Sequence, residues 1–195
     1  MVYESVAPSE LKINEIELSA RLSMPCADVY GKYKELYESL LSVSKPAYVA
    51  ERVDFKRENG KIVIGNVHSE SKALSRLLSD ADHCMAIVAT LGVGVDRLLM
   101  KVAQTSAADA FVIDAMADAL IEALCDLAES RVTGGACQGR RFSPGYADIE
   151  LAIGRELIIF TAAERVLGIK LSESGLMIPK KSVNAMIAIK KEGGV

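Results

Sequence analysis

Residues 141–146 read Arg-Phe-Ser-Pro-Gly-Tyr and set one fixed cation beside a turn. Arginine offers a planar fork of donors that matches a carboxylate. Pro144 constrains the turn, and Gly145 lets a ligand approach the main chain. The segment reads as the grip for a small zwitterionic or anionic ligand, or equally as a tight turn pinned by an ion pair. Tyr146 is placed either to stack on an aromatic ring or to cover the core. Further along comes Leu171-Ser-Glu-Ser-Gly-Leu-Met-Ile-Pro179. Glu173, between Ser172 and Ser174, suits either capping a turn or meeting a ligand. Lys180 and Lys181 read as a solvated edge or as a docking point for a partner.

These two segments resemble the C-terminal half of the S-adenosylmethionine-binding activation domain of cobalamin-dependent methionine synthase, in its stand-alone form. That family carries an Arg-x-x-x-Gly-Tyr ligand loop, here Arg141, Gly145 and Tyr146. A Leu-Thr-Glu-Ser…Met-x-Pro…Ser-Val segment follows it. Here that segment is Leu171, Ser172 in place of threonine, Glu173, Ser174, Met177, Pro179, Ser182 and Val183. The resemblance is strongest over residues 84–190.

The resemblance implies that Arg141 holds the methionine carboxylate, with Arg140 as the alternative by one register. Gly145 and Tyr146 then lend backbone contacts to the nucleoside. Glu122 falls where the family carries a ligand-contacting glutamate and would meet the amino group or ribose hydroxyls. Glu173, Ser174, Met177, Pro179 and Ser182 would line the cleft or a corrin-facing edge. The implied partner is a cobalamin-binding methionine synthase or another corrinoid methyltransferase, reduced by a flavodoxin-like donor. Cobalamin would enter only through that partner. The family also uses an aspartate in an early Asp-Trp segment and a tyrosine beyond the last matched strand. Residues 1–30 hold no counterpart of the first, and the chain ends before the second. Either those two contacts are missing and affinity for S-adenosylmethionine is weak, or other residues or the partner supply them.

The element that must position Glu122 is a helix expected over residues 106–132. Phe111, Ala115, Met116, Ala119, Leu120, Ala123, Leu124 and Leu127 form its expected buried stripe. Asp114, Asp118, Glu122 and Asp126 recur every fourth residue on another face. Like charges at that spacing repel slightly, so helix stability does not explain them. They read as a solvated face or as part of a ligand cleft.

Other elements follow from pattern. A helix is expected over 28–41, capped by Asp28, with Val29, Tyr33, Leu36, Tyr37, Leu40 and Leu41 inward. Asn59-Gly60 marks a hairpin, because both positions tolerate positive φ. Residues 69–78 read as a short helix, and the apolar run 84–90 as an interior strand. Gly92-Val-Gly94 then opens a helix from Asp96. That arrangement suits phosphate binding or a plain tight turn, and it lacks the third glycine of a dinucleotide fingerprint. Gly134-Gly135 ends the long helix and starts an exposed loop through Arg140. A helix over 149–167, burying Ile153, Leu157, Phe160 and Val166, leads to strands at 169–171 and 183–189, before a solvated Lys-Lys-Glu-Gly-Gly-Val tail.

At 195 residues the chain suits one domain, and half of its residues are hydrophobic. The expectation is a single α+β domain, an antiparallel or mixed twisted sheet with packed helices. A net charge of −3 disfavours a sequence-independent grip on nucleic acid. No apolar stretch reaches membrane-spanning length and no signal peptide opens the chain, so a cytoplasmic protein is expected. Cys26, Cys84, Cys125 and Cys137 form no Cys-x-x-Cys pair, and with only His68 and His83 beside them a metal site is not expected. Both histidines read as surface or cap residues. Ser143 has no nucleophile elbow around it. With so few acid–base groups, difficult chemistry would fall to a cofactor on another protein.

Overall fold

The computed structural model describes residues 1–134 and 141–190. Residues 135–140, with Cys137 and Arg140, and residues 191–195 lie outside the described residues, whereas Lys190 of the expected tail belongs to the last strand. Strands β1 (Val2–Ser5), β2 (Ala47–Val53), β6 (Ala81–Thr90) and β9 (Ser182–Lys190) form one sheet in the order β1-β2-β6-β9, with antiparallel neighbours throughout. The apolar run at 84–90 sits in the interior strand β6, which pairs on both sides. Asn59 (φ 52°) and Gly60 (φ 79°) turn β3 (Lys56–Glu58) into β4 (Lys61–Ile64), the expected hairpin. Strand β5 (Val67–Ser69) completes that small sheet, and β7 (Lys170–Leu171) pairs with β8 (Met177–Ile178). The fold class is α+β, and its sheets are antiparallel rather than mixed.

Helices cover both faces of the main sheet. On one face lies α6 (Ala107–Thr133), flanked by α1 (Glu15–Leu22), α3 (Lys34–Val43) and α5 (Val93–Ala103). Tyr48, Ala50, Ile87, Ala89 and Ile187 pack against Ile113, Met116, Leu120 and Leu124 there. On the other face, α7 (Leu151–Phe160) and α8 (Ala163–Leu167) cover Val49, Cys84, Ala86, Val88 and Met186, with α4 (Lys72–Leu77) at the margin. The alternation of β9 therefore marks two buried faces. Asn184, on its more polar side, is buried and donates to the Gly154 carbonyl at 3.3 Å. A Cβ at Gly154 would lie 2.8 Å from that amide nitrogen, so glycine allows this close approach.

Three expectations are corrected. Phe111 is 61% exposed. It precedes Asp118 by two helical turns and so shares the acidic face, while Val112 and Ile113 turn inward instead. The 28–41 helix divides into α2 (Cys26–Lys32) and α3 at Tyr33, whose φ of −116° breaks the helical run; Asp28 lies within the first turn of α2. The 149–167 helix divides at Ala162 (φ 51°); Phe160, the last residue of α7, is exposed, while Ala163 is buried.

Candidate functional site

The Arg141–Glu150 segment is tied down at several points. Phe142 exchanges two backbone hydrogen bonds with Met186, at 2.9 and 2.7 Å, along the outer edge of β9. Asp148 accepts from the Ser71 hydroxyl at 2.6 Å and from the amides of Lys72 at 2.8 Å and Ala73 at 3.1 Å. These bonds, the Ser71 hydroxyl first, hold the Asp148 carboxyl down at a pKa of about 2. Ser69 donates to Glu150 at 2.5 Å. Between the ties, Gly145 adopts φ 91°, and a Cβ there would meet Leu151 at 2.6 Å. The dihedral favours glycine, while the contact is with the end of an exposed leucine side chain that can move aside.

Tyr146 is 71% exposed, so its ring is available to stack and does not cover the core. The Gly145 amide donates to the Ile149 carbonyl and the Tyr146 amide to the Ser143 carbonyl. Both N–H groups are thereby committed to the turn itself. The Gly145 carbonyl accepts no bond among the described residues.

Arg141 lies against α6. Its side chain is 16% exposed, and its Nη2 donates to Glu122 at 2.6 Å. Nη1 donates to Asp126 at 2.9 Å and Glu129 at 3.2 Å. Burial opposes the guanidinium charge, yet the surrounding carboxylates hold its pKa above the ordinary value. The acidic row continues in the same style. Lys181, 11% exposed, binds Asp114 at 2.8 Å and Asp118 at 2.6 Å. Arg21 reaches Asp118 at 3.0 Å and Glu17 at 3.1 Å. The row remains largely open to solvent and lends Asp118 and Glu122 to a hollow, but its carboxylates are also paired. It is a ladder of carboxylates clamped by three cations, and Lys181 is part of it rather than a solvated edge. Sequence reasoning did not single out Glu129, Asp148 or Arg21. The first continues the acidic row by one further turn, a signal that could have been read; the other two act through distant partners.

Two hollows adjoin this edge. The smaller, about 310 Å³, is lined by Glu122, Tyr146 and Ser182 together with Asp118, Arg21 and Lys181. The larger, about 930 Å³, is mainly apolar; Pro144, Leu151, Glu173, Ser174, Leu176 and Met177 are among its walls. Lys180 belongs to both. Pro179 is buried and follows a cis peptide bond. Arg141 and Gly145 line neither hollow, Arg141 lying behind Glu122.

Gly92-Val-Gly94 has a packing explanation. A Cβ on Gly94 would lie 2.3 Å from the Val43 carbonyl oxygen. The first turn of α5 carries Asp96, whose carboxylate accepts from the Lys180 amide at 2.9 and 3.2 Å. An anion already stands at that helix start, which disfavours phosphate. His68 is exposed and His83 sits 3.3 Å from Asp82. Burial pushes the Cys84 and Cys125 thiols up to about 12, so neither is a nucleophile. Among the described residues no group of side chains is arranged to hold a metal, and no helix is long and apolar enough to cross a membrane.

This arrangement is the fold of a methionine synthase activation domain. The chain aligns over 100% of its length, and 79% of the other, with a crystal structure of the MetH reactivation domain bound to AdoHcy, at a TM-score of 0.73 and 17% identity. No family model matches the sequence, and no curated protein matches it.

Proposed function

We propose that the chain binds S-adenosylmethionine and serves the reductive reactivation, by remethylation of cob(II)alamin, of a cobalamin-dependent methionine synthase carried on another protein. One observation supports this most. A chain with the reactivation-domain fold along its whole length gathers the Arg141–Tyr146 turn, Glu122 and the 171–183 segment on one edge of its sheet. The residues suit the ligand. Arg141 offers a fork for the methionine carboxylate, and the carboxylate of Glu122 meets the ammonium or a ribose hydroxyl. The exposed Tyr146 ring and the Gly145 carbonyl face the nucleoside. The excess of acid along α6 favours a ligand that carries a sulfonium.

When bound, S-adenosylmethionine supplies an electrophilic methyl group. This chain's residues hold and orient it, and no side chain here moves a proton. The corrinoid belongs to the partner, and a flavodoxin-like donor would act on that partner. Glu173, Ser174, Met177, Pro179 and Ser182 would then line the cleft or the edge facing the corrin.

A second reading is an interaction module that caps a corrinoid methyltransferase without binding S-adenosylmethionine. Its support is that three carboxylates already occupy Arg141. Isothermal titration of S-adenosylmethionine separates the two, first with the chain alone and then with a cobalamin-loaded methionine synthase lacking its own activation domain. Heat that disappears in Arg141→Ala supports the first reading. No heat in either setting, with docking retained, leaves the second.

A further inference from the structure

The occupancy of Arg141 decides what a ligand must do to reach it. Nη2 is held by Glu122, and Nη1 is shared by Asp126 and Glu129. A carboxylate that clasps the fork across both nitrogens must therefore displace a carboxylate already there. The three occupants differ in what leaving costs them. The Glu129 side chain is 25% exposed and Glu122 43%, whereas Asp126 is 74% exposed and regains water most cheaply.

We propose, resting on the assignment of Arg141 as the grip for the ligand carboxylate, that Asp126 is a specificity-determining residue: it holds Arg141 in the free protein and is exchanged for the carboxylate of the ligand. The exchange selects by charge. One guanidinium stands among three acids, while among the described residues Lys181 is committed to Asp114 and Asp118 and Arg21 to Asp118 and Glu17. A plain carboxylate arriving at Arg141 would strand Asp126 without a cation. A ligand whose ammonium is met by Glu122 and which also carries a sulfonium returns a positive charge to the released acid. The site thereby favours amino-acid zwitterions, and sulfonium-bearing ones above all, over simple or doubly charged carboxylates.

The test is titration of S-adenosylhomocysteine and S-adenosylmethionine into the full chain, as wild type, Asp126→Asn and Arg141→Ala. Asparagine removes the competing charge at an exposed position, and thermal unfolding verifies that the fold is retained. S-adenosylhomocysteine, which lacks the sulfonium, should bind Asp126→Asn about fivefold more tightly, the weight of one exposed ion pair. S-adenosylmethionine should gain less, so the preference for it narrows. An unchanged or weaker affinity for S-adenosylhomocysteine overturns the exchange: Asp126 then stays on Arg141 or contacts the ligand itself. Binding that survives Arg141→Ala overturns the assignment of Arg141 and this inference with it, as does the absence of binding to all three proteins both alone and with the cobalamin-loaded synthase.

Discussion

The ammonium of Lys181 lies 2.6 Å from Oδ1 of Asp118, joining the residue that precedes β9 to the middle of α6. Lys181 also holds Asp114, so its removal leaves two carboxylates one turn apart without their shared cation. Lys181→Ala should lower stability by about 1 kcal/mol, a figure discounted for the partial exposure of both acids. Asp118→Asn should recover part of that loss. A double-mutant cycle in urea checks it, and simple additivity of the two changes would contradict the coupling.

Arg141→Ala should weaken S-adenosylmethionine binding by roughly 1.5–3 kcal/mol, the range for a hydrogen bond to a charged group. Arg141→Lys should recover little, since a point charge cannot reproduce the fork. Calorimetry reads both. Full affinity in the lysine variant would show that charge alone suffices.

Asp148 gives a pH signature. Its folded pKa of about 2 lies below the ordinary aspartate value, so its contribution is complete above the unfolded pKa. That contribution fades as pH falls through the folded value. Asp148→Asn should lower stability at neutral pH and flatten the loss of stability on the acid side. Parallel acid limbs for variant and wild type would remove Asp148 from that account.

Gly94→Ala should destabilise the fold by about 1–3 kcal/mol, the usual cost of overpacking. The new methyl would press on the Val43 carbonyl. Ligand affinity should be unchanged in the folded fraction. A loss of affinity without a loss of stability would instead assign the glycine turn to the ligand.

Much of this was legible locally. The Asn59-Gly60 hairpin, the apolar run in β6 and the long helix α6 each announce themselves through residues adjacent in sequence. The Arg141–Tyr146 turn did so as well, because the positive φ at position 145 favours glycine. What stayed hidden depends on distant partners. The reading of the acidic row changes once Arg21, Arg141 and Lys181 arrive from three separate elements. Short β1 shows too little pattern to be told from a loop, yet its antiparallel pairing with β2 places it in the sheet. The division at Ala162 falls among ordinary helix formers, where no glycine or proline warns of it.

The tether from Asp148 to α4 joins two regions that would otherwise open independently. The amides of Lys72 and Ala73, at the start of a six-residue helix, are closed by a carboxylate from the loop that carries Arg141. Any fluctuation that lifts the loop uncovers these two amides, and any fraying of α4 loosens the loop. Hydrogen exchange at Lys72 and Ala73 therefore reports on the arginine turn, and a ligand that steadies the turn will slow exchange in a helix it never touches.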